Sequence, residues 1–174
     1  MNAAAVAAAA GEVRAHLRMG GGEGELVERL VRSAFALGEA FTGAAFVARA
    51  HEEVVAGGAW VSLAVEPVLA VVGVTALPAG AAPFVLGADE WEWEIGADGC
   101  GWVRVVRPGA VRAAVAFEAG LAPSWDLLPE PIRHGVVLLA AHLWEDRAGA
   151  KAPPAAVAAL WRPWRRSKLE RRRA

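Results

Sequence analysis

The stretch Glu90-Trp91-Glu92-Trp93-Glu94-Ile95 alternates strictly between acidic and large apolar side chains. Successive side chains of a β-strand point to opposite faces, so this spacing predicts a strand with Trp91, Trp93 and Ile95 on one face. Val- and Trp-rich segments separated by Gly and Pro surround it and predict short antiparallel strands, as a sheet or a small barrel. The predicted strands are 46–56, 60–65, 68–77, 84–86, 90–95, 102–106 and 111–118.

Helical periodicity replaces this alternation on both sides of the predicted sheet. Residues 11–43 are predicted to hold a short helix, a glycine break and a long helix over 23–41 that Gly43 caps. The predicted buried stripe of the long helix is Leu26, Leu30, Leu37 and Phe41, widened by Val27, Val31 and Ala34. Residues 129–147 are predicted to form another helix that begins with proline. Its predicted stripe is Ile132, Val136, Leu139 and Leu143.

The order of helices, strands and helices predicts an α+β fold. We expect a small helical bundle with an inserted antiparallel β-sheet or barrel and a C-terminal docking helix. The length of 174 residues suits one core domain, which we place at 11–152 with its β region at 46–119. Residues 1–10 are apolar and lack basic side chains, so we expect a disordered or weakly helical leader rather than a signal peptide. Residues 153–174 are predicted to form a separate arm.

Hydrophobicity and cysteine usage narrow the class of protein. Residues 67–88 form the longest uncharged stretch, but six Pro and Gly residues interrupt it. That punctuation indicates strands and turns, so we expect no membrane partner. Cys100 is the single cysteine, which excludes an internal disulfide and a cysteine zinc motif. A reducing, cytoplasmic origin fits this usage.

Charge is distributed unevenly, although the net charge is only −1. Residues 1–160 carry 11 basic and 18 acidic side chains, whereas residues 161–174 carry seven basic and one acidic. An acidic body with a basic arm predicts that the arm docks on something negative.

The arm also carries an amphipathic stripe on a short helix that begins at Pro153-Pro154. A short helix cannot bury such a stripe alone, and Trp and Arg dominate interface energetics, so we expect the arm to bind another protein. The alternative is a terminal helix packed on its own domain and followed by a solubilising tail. The expected docking residues are Val157, Leu160, Trp161, Arg162, Trp164, Arg165 and Arg166.

No motif for catalysis, nucleotide binding or metal binding is present, so we expect neither an enzyme nor a cofactor. The glycine run at 20–24 lacks the Lys-Ser/Thr of a phosphate loop and is interpreted as a hinge. His134 and His142 lie two helical turns apart, too far to share a metal directly, and are expected at the surface or an interface. Glu145-Asp146 is interpreted as a solvated helix end.

The tryptophans of the predicted sheet have two interpretations. Trp91, Trp93 and Trp102 could form a stacking platform for single-stranded nucleic acid. The residues around them are acidic, whereas a groove that follows phosphates needs basic ones. We therefore favour a role in the sheet core or in a contact between subunits.

Several segments, taken in order, resemble the head–tail connector (adaptor) proteins of long-tailed phages. The resemblance covers residues 11–166, and the ordered set carries it rather than any single motif. The segments are EVRAHLR at 12–18, AFTG at 40–43, PVLAVVGV at 67–74, AVAFEAG at 114–120, LP at 128–129, IRHGVVLLAAHLWEDR at 132–147, PP at 153–154 and PWR at 163–165.

The resemblance implies a non-enzymatic structural role in a ring, usually dodecameric, at the head–tail junction of a virion or a gene transfer agent particle. It implies that the helix at 154–165 inserts at the portal protein and that the opposite face receives a neck (stopper) or tail-completion protein. Double-stranded DNA would pass through the lumen without sequence readout. The chains would be made in the host cytoplasm.

Two alternatives remain open at this point. One is a small DNA-binding module that uses the basic C-terminal tail, whose binding to duplex DNA would weaken steeply with salt. The other is a small enzyme with a pocket that no motif marks.

Overall fold

A computed structural model describes residues 2–20, 22–146 and 149–166. The chain divides into two compact units. The helical unit comprises the described residues of 2–48 and 121–166, and the sheet unit comprises residues 49–120. The helical unit holds α1 (Ala3–His16), α2 (Gly24–Thr42), α3 (Glu130–Glu145) and α4 (Ala155–Trp161). The predicted α+β fold, helical on both sides of a β region, is confirmed.

The N-terminal segment is a helix packed into the core, so the expectation of a disordered or weakly helical leader over residues 1–10 does not hold for the described part. The Asn2 side chain accepts a hydrogen bond from the Ala4 amide at 3.0 Å and caps α1. One face of α1 is fully buried, through Ala5, Val6, Ala9, Ala10 and Val13. Alanine has the highest helix propensity, and its small side chain lets a helix pack closely, so this segment needs no large apolar residues.

The long helix α2 matches the predicted bounds within a residue, and Gly43 ends it as predicted. Gly43 has φ 71° and donates its amide to the Glu39 carbonyl at 2.8 Å. The predicted buried stripe of α2 is only partly right. Val27, Val31 and Ala34, predicted at its edge, are buried, whereas the large side chains predicted at its centre are not all buried. The buried residues are Val27, Val31, Ala34, Phe35, Gly38 and Thr42.

Two large side chains of the predicted α2 stripe face solvent. Leu37 is 51% exposed and Phe41 is 36% exposed. The reason lies at Gly38, where an added Cβ would stand 2.7 Å from the Phe46 ring and 2.9 Å from the Trp161 ring. Close packing of aromatic rings on a glycine decides which side of the helix is buried.

The second half of the helical unit follows the prediction closely. Ile132, Val136 and Leu139 of α3 are buried, and Leu143 packs at the edge of the same core. Trp125, in a 3₁₀ turn before α3, is also buried, and its indole N–H donates to Glu12 Oε1 at 2.8 Å. This hydrogen bond links α1 to the segment that leads into α3.

The sheet unit contains two antiparallel sheets. Its strands are β1 (Arg49–Ala56), β2 (Val61–Ser62), β3 (Val68–Ala76), β4 (Phe84–Val85), β5 (Trp91–Ile95), β6 (Gly101–Val105) and β7 (Arg112–Ala119). One sheet has the order β1-β7-β3-β4 and the other β2-β6-β5. All seven strands fall within predicted segments or one residue beyond them. The outer strands are β1 and β4 in the first sheet and β2 and β5 in the second. They do not pair with each other, so the β region consists of open sheets and not of a barrel.

The sheet core consists mainly of valine, with one large aromatic side chain. Val103, Val115 and Phe117 are all at most 1% exposed. Trp91 and Ile95 of the alternating stretch pack against this core, whereas Trp93 is 45% exposed. Of the two roles favoured for these tryptophans, Trp91 therefore has the one in the sheet core, whereas Trp93, on the edge strand β5, does not.

Candidate interaction surface

The C-terminal arm packs on the helical unit through two residues of α4. Pro154 precedes α4, and Val157 and Trp161 are 4% and 2% exposed. Both belong to the same apolar core as α1, α2 and α3. The spacing of four residues places them on one face of the helix.

Trp161 occupies a seat formed by two glycines. An added Cβ at Gly135 would stand 2.2 Å from Trp161 Nε1, and one at Gly38 would stand 2.9 Å from the far edge of the indole. The indole N–H donates to the Ile132 carbonyl at 3.3 Å. Phe41 and Phe46 lie with ring centroids 6.2 and 6.0 Å from it, in tilted arrangements that favour aromatic contact.

The chain after α4 also stays against α2. Residues Arg162–Trp164 form a 3₁₀ turn, and the Arg166 amide then donates to the Thr42 carbonyl at 2.7 Å. The Arg165 guanidinium lies 5.3 Å from the centroid of the Phe41 ring, a cation–π contact. The C-terminal end of α2 carries partial negative charge, which favours the arginines placed there.

The premise that the apolar stripe of the arm has no place on its own subunit is therefore wrong for Val157 and Trp161. A glycine seat on α2 and α3 buries both, and spacing along the arm cannot reveal a seat on other helices. The other expected docking residues keep contact with solvent: Arg162 and Arg165 are exposed, and Leu160, Trp164 and Arg166 are half-buried. The basic tail from Ser167 onward lies outside the described residues.

An apolar groove lies beside the arm. It has a volume of about 290 Å³. Nine residues line it, all of them apolar: Leu37, Phe41, Leu139, Pro153, Pro154, Ala155, Val157, Ala158 and Trp161. Sequence reasoning missed it because Leu37 and Phe41 were assigned to the core. The available signal was the width of the α2 stripe, since seven predicted apolar positions are more than one helix face buries.

Comparison with solved structures adds a direct finding. The neck of an empty gene transfer agent particle, computed with C6 symmetry, contains a chain 26% identical to this one, with a TM-score of 0.79. The match covers 99% of this chain and 97% of that one. A chain in the neck of the native particle, computed with C12 symmetry, is 26% identical over the same shares, with a TM-score of 0.78.

The virion of the native gene transfer agent contains a chain that is 27% identical, with a TM-score of 0.79. That match covers 97% of this chain and 94% of the other. This chain has the fold of a gene transfer agent neck protein. The resemblance to head–tail connector proteins is thereby confirmed. No family model and no curated protein matches the chain.

In this neck-protein fold, the loop between α3 and α4 is held by one carboxylate. Asp146 accepts hydrogen bonds from the Lys151 amide at 2.7 Å and the Ala150 amide at 3.2 Å. The bond from Lys151 is the largest cause that holds the pKa of Asp146 below its ordinary value; burial opposes it, and the bond from Ala150 adds to it. Asp146 thus does more than end a helix, because it fixes the segment that leads to Pro153 and the groove.

The remaining chemical candidates lie apart from one another. His134 is exposed, and His142 Nε2 stands 3.3 Å from the Lys151 carbonyl in the same loop. Within residues 2–20, 22–146 and 149–166, no three His, Cys, Asp or Glu side chains are grouped as metal ligands. Over the same residues, no helix combines the length and apolar character needed to cross a membrane. Cys100 is buried.

Proposed function

We propose that the chain is a structural head–tail connector of a phage-like particle, such as a gene transfer agent. Twelve copies form a ring between the portal protein and the next neck or tail protein. The observation that carries this proposal is a match over nearly the full chain to chains from particle necks computed with C6 and C12 symmetry. The role is mechanical rather than catalytic. Its place is the head–tail junction of the particle.

The exposed side of the arm is proposed as the portal-docking surface. Arg162 and Arg165 are exposed there, with Leu160, Trp164 and Arg166 half-buried beside them. Val157 and Trp161 do not contact the portal in this proposal; they hold the arm in position. Preorganising an interface in this way lowers the entropy lost on binding. The arginines steer the arm toward acidic portal surface, and repetition around a ring adds avidity.

The sheet unit suits a channel that DNA passes without being held. Residues 49–120 carry nine acidic and four basic side chains. Two of the basic ones are neutralised at the surface, Arg104 by Glu92 at 2.7 Å and Arg107 by Glu90. An acidic surface repels phosphates, so a sheet unit that lines the lumen lets duplex DNA move without sequence readout.

Binding to the portal protein encoded with this chain tests the proposal. We expect the double variant Arg162→Glu/Arg165→Glu to bind the portal at least about tenfold more weakly than the wild type, because two steering charges are reversed at the contact. The matched control is Arg29→Glu/Arg112→Glu, which changes net charge equally at two exposed positions outside the arm. The control should retain nearly full binding.

The outcomes separate the alternatives. Equal binding by both double variants would remove the arm as the docking surface. A wild-type chain that ignores the portal and instead binds duplex DNA in a salt-dependent manner would replace the connector proposal with the DNA-binding module.

A further inference from the structure

The loop between α3 and α4 is bound at four backbone groups by the C-terminal end of α3. The main-chain carbonyl of Asp146 accepts a hydrogen bond from the Gly149 amide at 3.0 Å. The Asp146 carboxylate accepts from the Ala150 and Lys151 amides at 3.2 and 2.7 Å. His142 Nε2 stands 3.3 Å from the Lys151 carbonyl, and because a carbonyl oxygen only accepts, Nε2 is the donor. The backbone of Lys151 is therefore held at both its N–H and its C=O.

These hydrogen bonds are not needed to satisfy buried groups. Gly149, Ala150 and Lys151 are exposed, so water could replace each of their partners. Asp146 is also unfavourable at its position, because the C-terminal end of a helix carries partial negative charge and disfavours a carboxylate. Its pKa is nevertheless lowered, chiefly by the hydrogen bond from the Lys151 amide. Neither burial nor the helix dipole explains the arrangement, whereas a need to order the loop does.

The loop leads directly into the arm. Three residues, Ala152, Pro153 and Pro154, separate Lys151 from the start of α4 at Ala155. Proline fixes its own φ angle and restricts the residue before it to extended backbone, so this connection is stiff. Fixing the backbone of Lys151 therefore fixes the point at which α4 begins.

The other end of α4 is fixed by Trp161, whose indole is buried between Gly38 and Gly135. A helix of seven residues that is held at one end only can pivot about that point. The exposed arginines beyond Trp161 would then move with the helix. A second fixed point at Lys151, before the helix begins, removes this freedom.

We propose that His142 and Asp146 are positioning residues that hold Lys151 and thereby set the direction of α4. The exposed arginines Arg162 and Arg165 then face the portal in one fixed arrangement. The two positioning residues lie four apart at the end of α3, so they share one face and act on the same loop residue. The link to the portal rests on the proposed function, whereas the four hydrogen bonds, here called the Lys151 clamp, belong to the single chain.

Hydrogen exchange of the free chain tests the Lys151 clamp. The reporter is the Val157 amide, which donates to the Pro154 carbonyl at 3.0 Å in the first turn of α4. We expect Asp146→Ala to speed its exchange about threefold to tenfold, because two side-chain hydrogen bonds to the loop are lost. Glu145→Ala is the matched control, since it removes the neighbouring exposed carboxylate, and it should leave the exchange rate unchanged.

Rescue at position 142 separates hydrogen-bond donation from packing. His142→Ala should speed the exchange of the Val157 amide, whereas His142→Gln should keep nearly the wild-type rate, because a primary amide at that position can still donate. Portal binding measures the consequence for docking. We expect the double variant His142→Ala/Asp146→Ala to bind the portal about tenfold more weakly than the wild type, and Glu145→Ala to bind like the wild type.

Each outcome decides the proposal. An exchange rate that Asp146→Ala leaves unchanged, or that Glu145→Ala raises equally, overturns the Lys151 clamp and leaves the connector function intact. Exchange as fast in His142→Gln as in His142→Ala overturns the role of His142 as a donor. Full portal binding by the double variant overturns the positioning role. A wild type that does not bind the portal overturns the connector function, and hydrogen exchange alone then decides the clamp.

Discussion

At the scale of single residues, glycines decide where the arm is held. Gly135 and Gly38 provide the space that the Trp161 indole occupies, and no other residue type leaves that space empty. Gly11, within α1, contrasts with them because an added Cβ there meets nothing within 4 Å. The two kinds of helical glycine therefore respond differently to the same substitution.

We expect Gly135→Ala to lower the free energy of unfolding by about 1–2 kcal/mol, because the overpacking against Trp161 exceeds the gain in helix propensity. Gly11→Ala is the matched control and should raise it by about 0.5–1 kcal/mol, since only the propensity changes. Urea denaturation of the two variants and the wild type measures both. A Gly135→Ala variant as stable as Gly11→Ala would contradict the proposed seat.

Asp146 gives a prediction that depends on pH. Its pKa is lowered in the folded chain, chiefly by the hydrogen bond from the Lys151 amide. These hydrogen bonds therefore contribute fully to the free energy of unfolding above the unfolded-state pKa, and the contribution is lost as pH falls through the folded-state pKa. We expect the NMR signal of the Lys151 amide to titrate with a midpoint below that of an aspartate in an unfolded peptide. Asp146→Asn should abolish this titration; a midpoint at or above the peptide value would refute the arrangement.

At the scale of elements, α4 is an arm fixed by a buried anchor rather than a free extension. Seven residues are too few for an isolated helix to be stable in water, so its order depends on Val157 and Trp161. The exposed arginines that follow take their positions from that anchor and from the Arg166–Thr42 hydrogen bond. Stability and the proposed portal binding are consequently linked through one side chain.

We expect Trp161→Ala to lower the free energy of unfolding by about 3–5 kcal/mol, because it empties a buried aromatic site. It should also speed tryptic cleavage after Arg165, since the arm loses its anchor. Leu127→Ala, at an exposed position, should change stability by no more than about 0.5 kcal/mol. Resistance of Trp161→Ala to trypsin equal to that of the wild type would show that the arm is held in another way.

At the scale of the whole molecule, the sheet unit is an insertion within the helical unit. Its first and last strands pair directly, with Arg49 opposite Ala119. Just outside them, the Ala48 amide donates to the Ala122 carbonyl at 2.8 Å. Ala48 and Ala122, on the two sides of the insertion, therefore lie next to each other in the helical unit. A short linker can join these two points when the insertion is removed.

Replacing residues 49–120 by a short Gly-Ser linker should leave the helical unit folded, because its core contains no residue of the sheet unit. We expect a helical circular dichroism spectrum and a cooperative thermal transition. The variant should bind the portal through its intact arm. A molten, non-cooperative product would show that the helical unit requires the sheet unit to fold.

The kind and order of the elements follow from the local sequence. The strand at residues 90–95, the helix α3 and the end of α2 at Gly43 match their predictions within a residue or two. Each depends only on near neighbours along the chain. The ordered resemblance to connector proteins came from the same local segments. Periodicity shows which residues share a face of a helix or strand, and this does not depend on how the elements pack against each other.

Which faces are buried depends on how the elements pack against each other. Leu37 and Phe41 are as apolar as the residues that α2 buries, yet they border a groove, because rings from distant segments pack on Gly38 instead. The same packing placed Trp161 on its own subunit and the alanines of α1 in the core. Burial is settled by competition among elements for limited close-packed space, and no single stretch of sequence contains that information.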